Sequence, residues 1–266
     1  MKTRLKLIDG MASAERGPRV LELAGASKVF PIPGGFFTAF ENLTFSARSG
    51  EFLAVTGPSG CGKSTLLKVI AGFLKADAGR VSISGSPVKG PGADRCMVFQ
   101  EDALFPWLSV YENVAFGLSR RGLTKKQIKE RVTHFLELVA LFPFGRYLPA
   151  EISGGMRQRV ALARVLVLEP LVLLMDEPFA SLDMQTRQEM QELLVSLWKE
   201  LDQTIVFVTH DVSEALGLAD RILIMKGSPG RIQDDIPVHL PRPRPADSPA
   251  FLRLAVKVRE KLKPGA

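Results

Sequence analysis

Short runs of apolar residues recur through the chain, separated by segments with helical spacing. Five of these runs predict buried β-strands, at residues 51–56, 94–99, 171–176, 204–209 and 221–226. An alternation of apolar strands with helical segments is typical of an α/β fold built on a parallel sheet. We therefore predict an α/β protein with a mostly parallel central sheet.

A helical pattern dominates residues from about 103 to 160, where strand signals are poor. The apolar positions of residues 125–139 are Ile128, Val132, Phe135, Leu136 and Val139. That spacing places them on one face of an amphipathic helix. The block predicts a helical subdomain inserted between two strands of the sheet.

The chain changes character after residue 240. Four prolines between residues 240 and 250 predict an extended linker, and residues 251–262 predict a short helix. We expect an N-terminal extension at residues 1–19, a main domain at 20–245 and a helical tail at 246–266.

Composition favours a soluble intracellular protein. Of 266 residues, 46% are hydrophobic and 8% aromatic, enough for a sizeable core. No apolar run approaches the roughly 20 residues that span a bilayer. The N-terminus has a basic start but lacks the apolar core of a secretion signal. Only two cysteines occur, Cys61 and Cys96, which agrees with a reducing compartment.

The net charge of +7 is concentrated at the two ends. Residues 221–266 carry ten Lys or Arg against four Asp or Glu, and residues 1–20 carry five against two. Basic ends suit an anionic surface, such as phospholipid headgroups or nucleic acid. Ordinary solubility explains them equally well.

The most informative motif follows the first predicted buried strand. It matches the phosphate-loop pattern G-x-x-x-x-G-K-[ST] and consists of Gly57, Pro58, Ser59, Gly60, Cys61, Gly62, Lys63, Ser64 and Thr65. Its glycines allow a tight turn that aims backbone N–H groups at phosphate oxygens. Lys63 suits the β- and γ-phosphates, and the Ser64 hydroxyl suits Mg²⁺. The motif predicts a site for a nucleoside triphosphate.

Two acids end the strand at residues 171–176. Asp176 is placed to hold Mg²⁺ opposite the phosphate loop. Glu177 follows it, where a general base would polarise an attacking water. A solvated turn is the alternative for such a pair, and the complete phosphate loop argues against it.

A third motif makes the resemblance to a family specific. Ser153, Gly154 and Gly155 precede a helical run and provide a hydroxyl and N–H groups for a second anion site. The segment resembles the Leu-Ser-Gly-Gly-Gln signature of ATP-binding cassette (ABC) ATPases, with Ile152 and Met156 departing from it. In that family the three matching positions touch ATP.

The resemblance covers residues from about 20 to 245 and assigns further roles. It implies that Gln100 senses Mg²⁺ and the attacking water, and that His210 contacts the γ-phosphate. Asp183 lies in the segment that resembles the loop at the dimer interface. Phe30 corresponds to an aromatic residue that stacks on adenine, carried by an antiparallel β-subdomain at about residues 20–44.

The family resemblance also implies the cofactors, the partners and the place in the cell. We expect ATP with Mg²⁺ bound by Ser64, Asp176 and Gln100, and a dimer of two copies in which each signature turn completes the other copy's site. Membrane permease subunits and a periplasmic or extracellular solute-binding protein are the expected partners. The chain is then peripheral, on the cytoplasmic face of the inner membrane.

Several segments resemble the importer branch that serves nitrate, sulfonate or taurine. These are residues 90–95, 105–109, 153–158 and 174–179, and Met156 is common in that branch. None of them identifies the solute.

Three alternatives lead to different functions. ABC ATPases that act on nucleic acid or ribosomes usually carry two cassettes or long coiled coils, and this chain shows one cassette without sustained heptads. Exporter halves are generally fused to membrane helices. A metabolic kinase would lack Ser153-Gly154-Gly155. We therefore expect no nucleic-acid partner.

Two side chains carry further expectations. Cys61 lies beside Lys63 and near a helix N-terminus, which predicts a favoured thiolate. Trp107 follows Gln100 closely, and we expect its segment to contact the permease rather than to fill the core.

Overall fold

The computed structural model describes residues 17–100 and 102–263. Most of the predicted N-terminal extension and the last three residues lie outside the described ranges. The strands are β1 Arg19–Ile32, β2 Gly35–Arg48, β3 Phe52–Thr56, β4 Ala78–Ile83, β5 Ser86–Pro87, β6 Arg95–Val98, β7 Val172–Asp176, β8 Thr204–Thr209, β9 Arg221–Lys226 and β10 Arg231–Pro237. The α-helices are α1 Lys63–Ala71, α2 Val110–Ala115, α3 Lys125–Leu138, α4 Gly154–Leu166, α5 Met184–Leu201, α6 Val212–Leu218 and α7 Pro249–Leu262.

The central sheet has six strands in the order β10-β9-β3-β8-β7-β6. Strands β9 to β6 run parallel, and β10 joins the edge antiparallel to β9. The five predicted strands are these parallel ones, and their observed ends differ from prediction by at most one residue. The predicted α/β class is therefore confirmed.

The sheet lies between two hydrophobic cores, because successive side chains of a strand point to opposite faces. On β3, Phe52 and Ala54 join a core shared with the helical block and α5, α6 and α7. Leu53 and Val55 join a second core shared with α1 and a smaller sheet. Every residue of β3 and of β8 is buried, which explains why their sequences lack polar alternation.

The smaller sheet is antiparallel, with strand order β2-β1-β4-β5. Strands β1 and β2 form a long hairpin paired from Arg19↔Arg48 to Ile32↔Gly35. Its tip turns at Pro33 and Gly34, where Gly34 has a φ of 86° that favours glycine. This sheet is the β-subdomain expected from the resemblance.

Helices α2, α3 and α4 pack together between β6 and β7 in the chain. The described residues of this stretch contain helices and turns but no strand. On α3 the predicted apolar face is confirmed: Val132, Phe135 and Leu136 are buried. Short 3₁₀ helices at Phe116–Arg120, Phe142–Phe144 and Pro149–Glu151 connect the block. No helix of the described ranges has the length and apolar character needed to cross a membrane.

Candidate functional site

The loop between β3 and α1 follows a path that glycine alone permits at two positions. A Cβ atom on Gly57 would lie 1.9 Å from the carbonyl oxygen of Met225. Gly62 has a φ of 96°, and a Cβ there would lie 2.7 Å from the carbonyl oxygen of Ala39. Gly62 is also the N-cap of α1 and offers no side chain to its first N–H groups. These amides are therefore available to anionic oxygens.

Lys63 turns its side chain back into this loop. The residue is 5% exposed, and its Nζ donates to the carbonyl oxygens of Gly57 at 2.8 Å and Pro58 at 3.0 Å. A buried ammonium needs such acceptors, and charged phosphate oxygens are stronger ones. Pro58, Ser59 and Gly60 are exposed, and partly buried Thr65 lies in the first turn of α1.

Ser64 and Asp176 meet across the loop. The Ser64 Oγ donates to Asp176 Oδ1 at 2.9 Å. Burial raises the pKa of Asp176, while the Ser64 hydrogen bond opposes that shift. Within the described residues, no group of three or more His, Cys, Asp or Glu is arranged to hold a metal. Two neighbouring oxygens suit Mg²⁺, which usually takes one or two protein ligands and completes its shell with phosphates and water.

Glu177 and His210 form a second pair beside the first. The Nδ1 of His210 lies 2.9 Å from Glu177 Oε2. Glu177 has a φ of 45°, a left-handed conformation that is strained for a non-glycine residue, and its N–H donates to the carbonyl of Val208 at 3.0 Å. The left-handed conformation turns the chain sharply after β7, and the hydrogen bond to Val208 holds Glu177 beside the end of β8. The Glu177 carboxylate can accept a proton from a water molecule, and its contact with His210 fixes the orientation of the imidazole ring.

Gln100 lies at the same sheet edge. It is exposed and comes two residues after β6, which pairs in parallel with β7 through Val98↔Met175. Asp176 follows Met175 directly. Parallel strands end at a common edge, so Gln100 lies on the side of the sheet where the two carboxylates emerge.

The signature turn begins helix α4. Ser153 is the N-cap, and its hydroxyl accepts a hydrogen bond from the N–H of Met156 at 3.2 Å. Gly154 and Gly155 are the first helical residues. A Cβ on Gly155 would lie 2.7 Å from the Thr186 methyl group, so close packing also requires glycine there.

Thr186 connects this turn to Asp183. The Asp183 carboxylate caps α5 and accepts from the Thr186 N–H at 3.0 Å and from its hydroxyl at 2.7 Å. Those hydrogen bonds lower the pKa of Asp183. Gln158 of α4 donates to the carbonyl of Pro178 at 2.9 Å, next to Glu177. The signature turn, the Asp183 loop and the end of β7 are therefore packed as one unit.

Phe30 lies near the tip of the β1–β2 hairpin. It is partly buried and stands opposite Phe37, and the Lys28 ammonium lies 5.2 Å from its ring centroid. Ala39, two residues beyond Phe37, is the residue whose carbonyl approaches Gly62. The hairpin thus places an aromatic surface close to the phosphate loop.

The expectation of a favoured thiolate at Cys61 is wrong. The side chain is buried, and this burial raises the pKa of the thiol. The Lys63 ammonium, 4.0 Å from the sulfur, lowers the pKa by less than burial raises it.

Sequence reasoning missed a buried carboxylate near His210. Glu214 lies in the first turn of α6 and contacts Thr209, Gln191 and Arg187. The available signal was an acid in the first turn of α6, four positions after His210, which is a common surface pattern and therefore not specific.

Comparison with known proteins agrees with this geometry. Residues 40–180 match the family model described as ABC transporter. An uncharacterized ABC transporter ATP-binding protein of Methanocaldococcus jannaschii is 42% identical over 96% of both chains. A nitrate import ATP-binding protein of Synechocystis sp. is 44% identical over 83% of both chains. An aliphatic sulfonates import ATP-binding protein of Bacillus cereus is 45% identical over 90% of this chain and 94% of the relative.

Solved structures of ATP-binding cassette proteins are also similar to this chain. A dimeric ATP-binding cassette in a post-hydrolysis state, bound to ADP and Pi, aligns with a TM-score of 0.71 and 30% identity, covering 82% of this chain and 98% of that one. The cbiO1 protein of Clostridium perfringens, part of the ABC transporter complex cbiONQ, aligns with a TM-score of 0.76 and 29% identity, covering 92% and 95%.

Proposed function

Since this chain belongs to the ABC transporter family and is an ATP-hydrolysing subunit of it, we propose that it drives import of a small anion through a separate permease. The solute class we propose is nitrate, a sulfonate or taurine. The observation that carries this proposal is the similarity of 44–45% identity to ATP-binding proteins named for nitrate and aliphatic sulfonate import.

The hydrolytic roles follow the geometry of the site. The loop amides and Lys63 would bind the phosphates of ATP, the substrate, and Ser64, Asp176 and Gln100 would hold Mg²⁺. The Lys63 ammonium already lies within the loop, and Ser64 and Asp176 already share a hydrogen bond. When bound, Mg²⁺ neutralises charge on the β- and γ-phosphate oxygens. Glu177 accepts the proton of the attacking water. His210, whose Nδ1 lies 2.9 Å from that carboxylate, orients the carboxylate toward the γ-phosphate.

We also propose that the working unit holds two copies. One chain carries two segments that can bind anions, the loop before α1 and the Ser153 turn before α4. They lie on separate parts of the fold. In a two-fold dimer each Ser153 turn closes over ATP held by the other copy. The dimeric cassette with ADP and Pi supports this arrangement.

The proposed permease contact is the aromatic patch, which we define as Phe105, Trp107 and Phe116. Trp107 is 72% exposed and Phe116 51% exposed, and the Phe105 ring lies 4.4 Å from that of Phe116. Buried Asn113 holds the segment, since its amide donates to the carbonyls of Phe105 and Leu108. Large rings held rigidly in solvent are typical of a partner surface. The chain then lies at the cytoplasmic face of the membrane, with the solute-binding protein reached through the permease.

Uptake by intact cells tests the transport function. A strain lacking this gene is complemented with the wild-type chain or with Glu177→Gln, and uptake of labelled nitrate, methanesulfonate and taurine is measured. We expect one of these solutes to depend on the wild-type chain and not to be restored by Glu177→Gln. Unchanged uptake of all three would reject the proposed solute class.

A further inference from the structure

The buried carboxylate of Glu214 lies next to the Glu177–His210 pair and contacts residues of two other elements, β8 and α5. Glu214 of α6 is 8% exposed. Its Oε2 accepts a hydrogen bond of 2.7 Å from the Thr209 hydroxyl at the end of β8. Its Oε1 accepts from Gln191 Nε2 at 3.3 Å and lies 3.9 Å from Arg187 Nε, both on α5.

The first arm of this network, the contact between Glu214 and Thr209, holds the backbone on both sides of His210. Thr209 directly precedes His210, and its hydroxyl oxygen also accepts from the N–H of Asp211 at 3.0 Å. The backbone before and after the histidine is therefore tied to one hydroxyl, and Glu214 orients that hydroxyl by accepting its proton. An imidazole held this way keeps its 2.9 Å contact with Glu177.

The second arm holds the Asp183 loop. Arg187 Nη2 donates to the carbonyl of Leu182 at 2.9 Å, and Leu182 directly precedes Asp183. The two arms enclose a cavity of about 50 Å³ that Glu177, His210, Arg187 and Glu214 help to line. Glu214 is thus the group common to the loops on either side of Glu177.

Burying the Glu214 carboxylate costs folding free energy, and its presence there is explained if it holds neighbouring groups in position. Burial raises the pKa of Glu214, and the Thr209 hydrogen bond and the nearby Arg187 offset part of that shift. Buried ionic groups are rarely the most stabilising choice, since apolar side chains of similar volume often serve stability as well or better. Their best-supported use is to select one arrangement of the surrounding groups.

We propose that Glu214 is a positioning residue for ATP hydrolysis. Glu214 fixes the positions of His210 and of the Leu182–Asp183 segment relative to Glu177. The histidine and the proposed dimer-interface loop therefore keep one arrangement around Glu177. The inference rests on the proposed roles of Glu177 and His210. Thr209 and Arg187 contribute to turnover through their contacts with Glu214 and are likewise positioning residues.

Steady-state kinetics of four variants test the proposal. Glu214→Ala and Thr209→Val should each lower kcat by about 10–100-fold, the usual loss when an outer partner of an active group is removed. The KM for ATP should change by less than about threefold, because the phosphate loop is untouched. The double variant should lose less than the product of the two single losses, since both changes break the shared hydrogen bond between Thr209 and Glu214. Glu214→Gln keeps an acceptor for Thr209 and should recover part of the activity.

Glu192→Ala serves as the matched control, because Glu192 is an exposed acid on α5 whose partner is Gln188. It should keep the wild-type kcat. If Glu214→Ala fails to fold, Glu214→Gln and Thr209→Val are judged by the same criteria. A wild-type kcat in these variants, a KM that rises as far as kcat falls, or additive losses in the double variant would overturn the proposal. Glu177→Gln is measured in parallel: its normal turnover would reject the role of Glu177 itself, whereas its inactivity beside a fully active Glu214→Ala would reject only the role of Glu214.

Discussion

Ser64 donates a 2.9 Å hydrogen bond to Asp176, although 112 positions separate them in the chain. The contact exists because β3 and β7 flank β8 in one parallel sheet and end at the same edge. The helix that carries Ser64 begins after the six-residue loop that follows β3, and Asp176 is the last residue of β7. Two oxygens from distant motifs thereby become one candidate magnesium site.

That pairing predicts a changed magnesium requirement for Ser64→Ala. Removing one of the three proposed protein ligands should raise the Mg²⁺ concentration for half-maximal hydrolysis by at least roughly tenfold, the change typical of a weakened metal site. The measurement is phosphate release at fixed ATP across a Mg²⁺ titration. Ser119→Ala removes an exposed hydroxyl that donates to the carbonyl of Phe116, and it should leave the titration unchanged. An unaltered midpoint in Ser64→Ala would count against the site.

Glu177→Gln should separate ATP binding from turnover. The amide has the shape of the carboxylate but does not accept the proton of water, so hydrolysis should fall by about 10²–10⁴-fold. Binding should persist because Lys63 and the loop amides are unaffected. Phosphate release and fluorescent-nucleotide binding measure the two properties separately. Hydrolysis at the wild-type rate would show that Glu177 is not the base.

Both cysteines should react slowly with a maleimide in the folded protein. Burial raises the pKa of Cys61 and raises that of Cys96 to about 11, so the reactive thiolates are scarce near pH 7. Labelling should accelerate as the pH rises above 9 toward these raised values, and denaturant should abolish the protection. Mass spectrometry of Cys61→Ala and Cys96→Ala assigns each rate. Fast labelling of Cys61 at neutral pH would restore the expectation of a favoured thiolate.

Trp107→Ala should affect coupling to the permease and leave the isolated subunit intact. The ring is 72% exposed, so its removal costs little packing. Transport and permease-stimulated hydrolysis should fall, while basal hydrolysis and Tm stay near wild type. Leu252→Ala, at a residue 50% exposed on α7, is the control and should preserve transport. Normal transport by Trp107→Ala, or its loss through unfolding, would refute a docking role for the aromatic patch.

Mixing two inactive variants tests the shared site. Lys63→Ala keeps an intact Ser153 turn, and Ser153→Arg keeps an intact phosphate loop. Each should be inactive as a homodimer, whereas a mixed dimer retains one complete site and should recover part of the hydrolysis. Differently tagged copies, purified in sequence, show that mixed dimers are present. Mixed dimers without any recovery would contradict a site built from two copies.

The sequence alone determined the parallel sheet and supplied the residues proposed for the site. Residues 51–56 and 204–209 were predictable as strands because β3 and β8 are buried throughout, which leaves an unbroken apolar run. Helix α3 was predictable because one of its faces is buried and the other is exposed. The phosphate loop was recognisable because its chemistry depends on adjacent residues.

Elements with weaker patterns needed the structure. Strand β4 is exposed over its first half, and edge strand β10 carries the polar residue Asp234 at one of its inward positions, so neither sequence shows a clear apolar alternation. Helix α5 has 18 residues and buries Met190, Leu194, Leu197 and Trp198, a helical spacing among many polar residues. The α5 segment was likewise not predicted as a helix.

Only the tertiary structure decided how the chemical groups act on one another. The thiol of Cys61 is adjacent to Lys63 in sequence, yet burial outweighs that charge because desolvation depends on everything packed around the sulfur. The contacts from His210 to Glu177 and from Glu214 to Thr209 depend on how β7, β8 and α6 are packed together. Adjacency along the chain determines which groups are available, whereas packing sets their distances and their exposure to water, and hence their pKa.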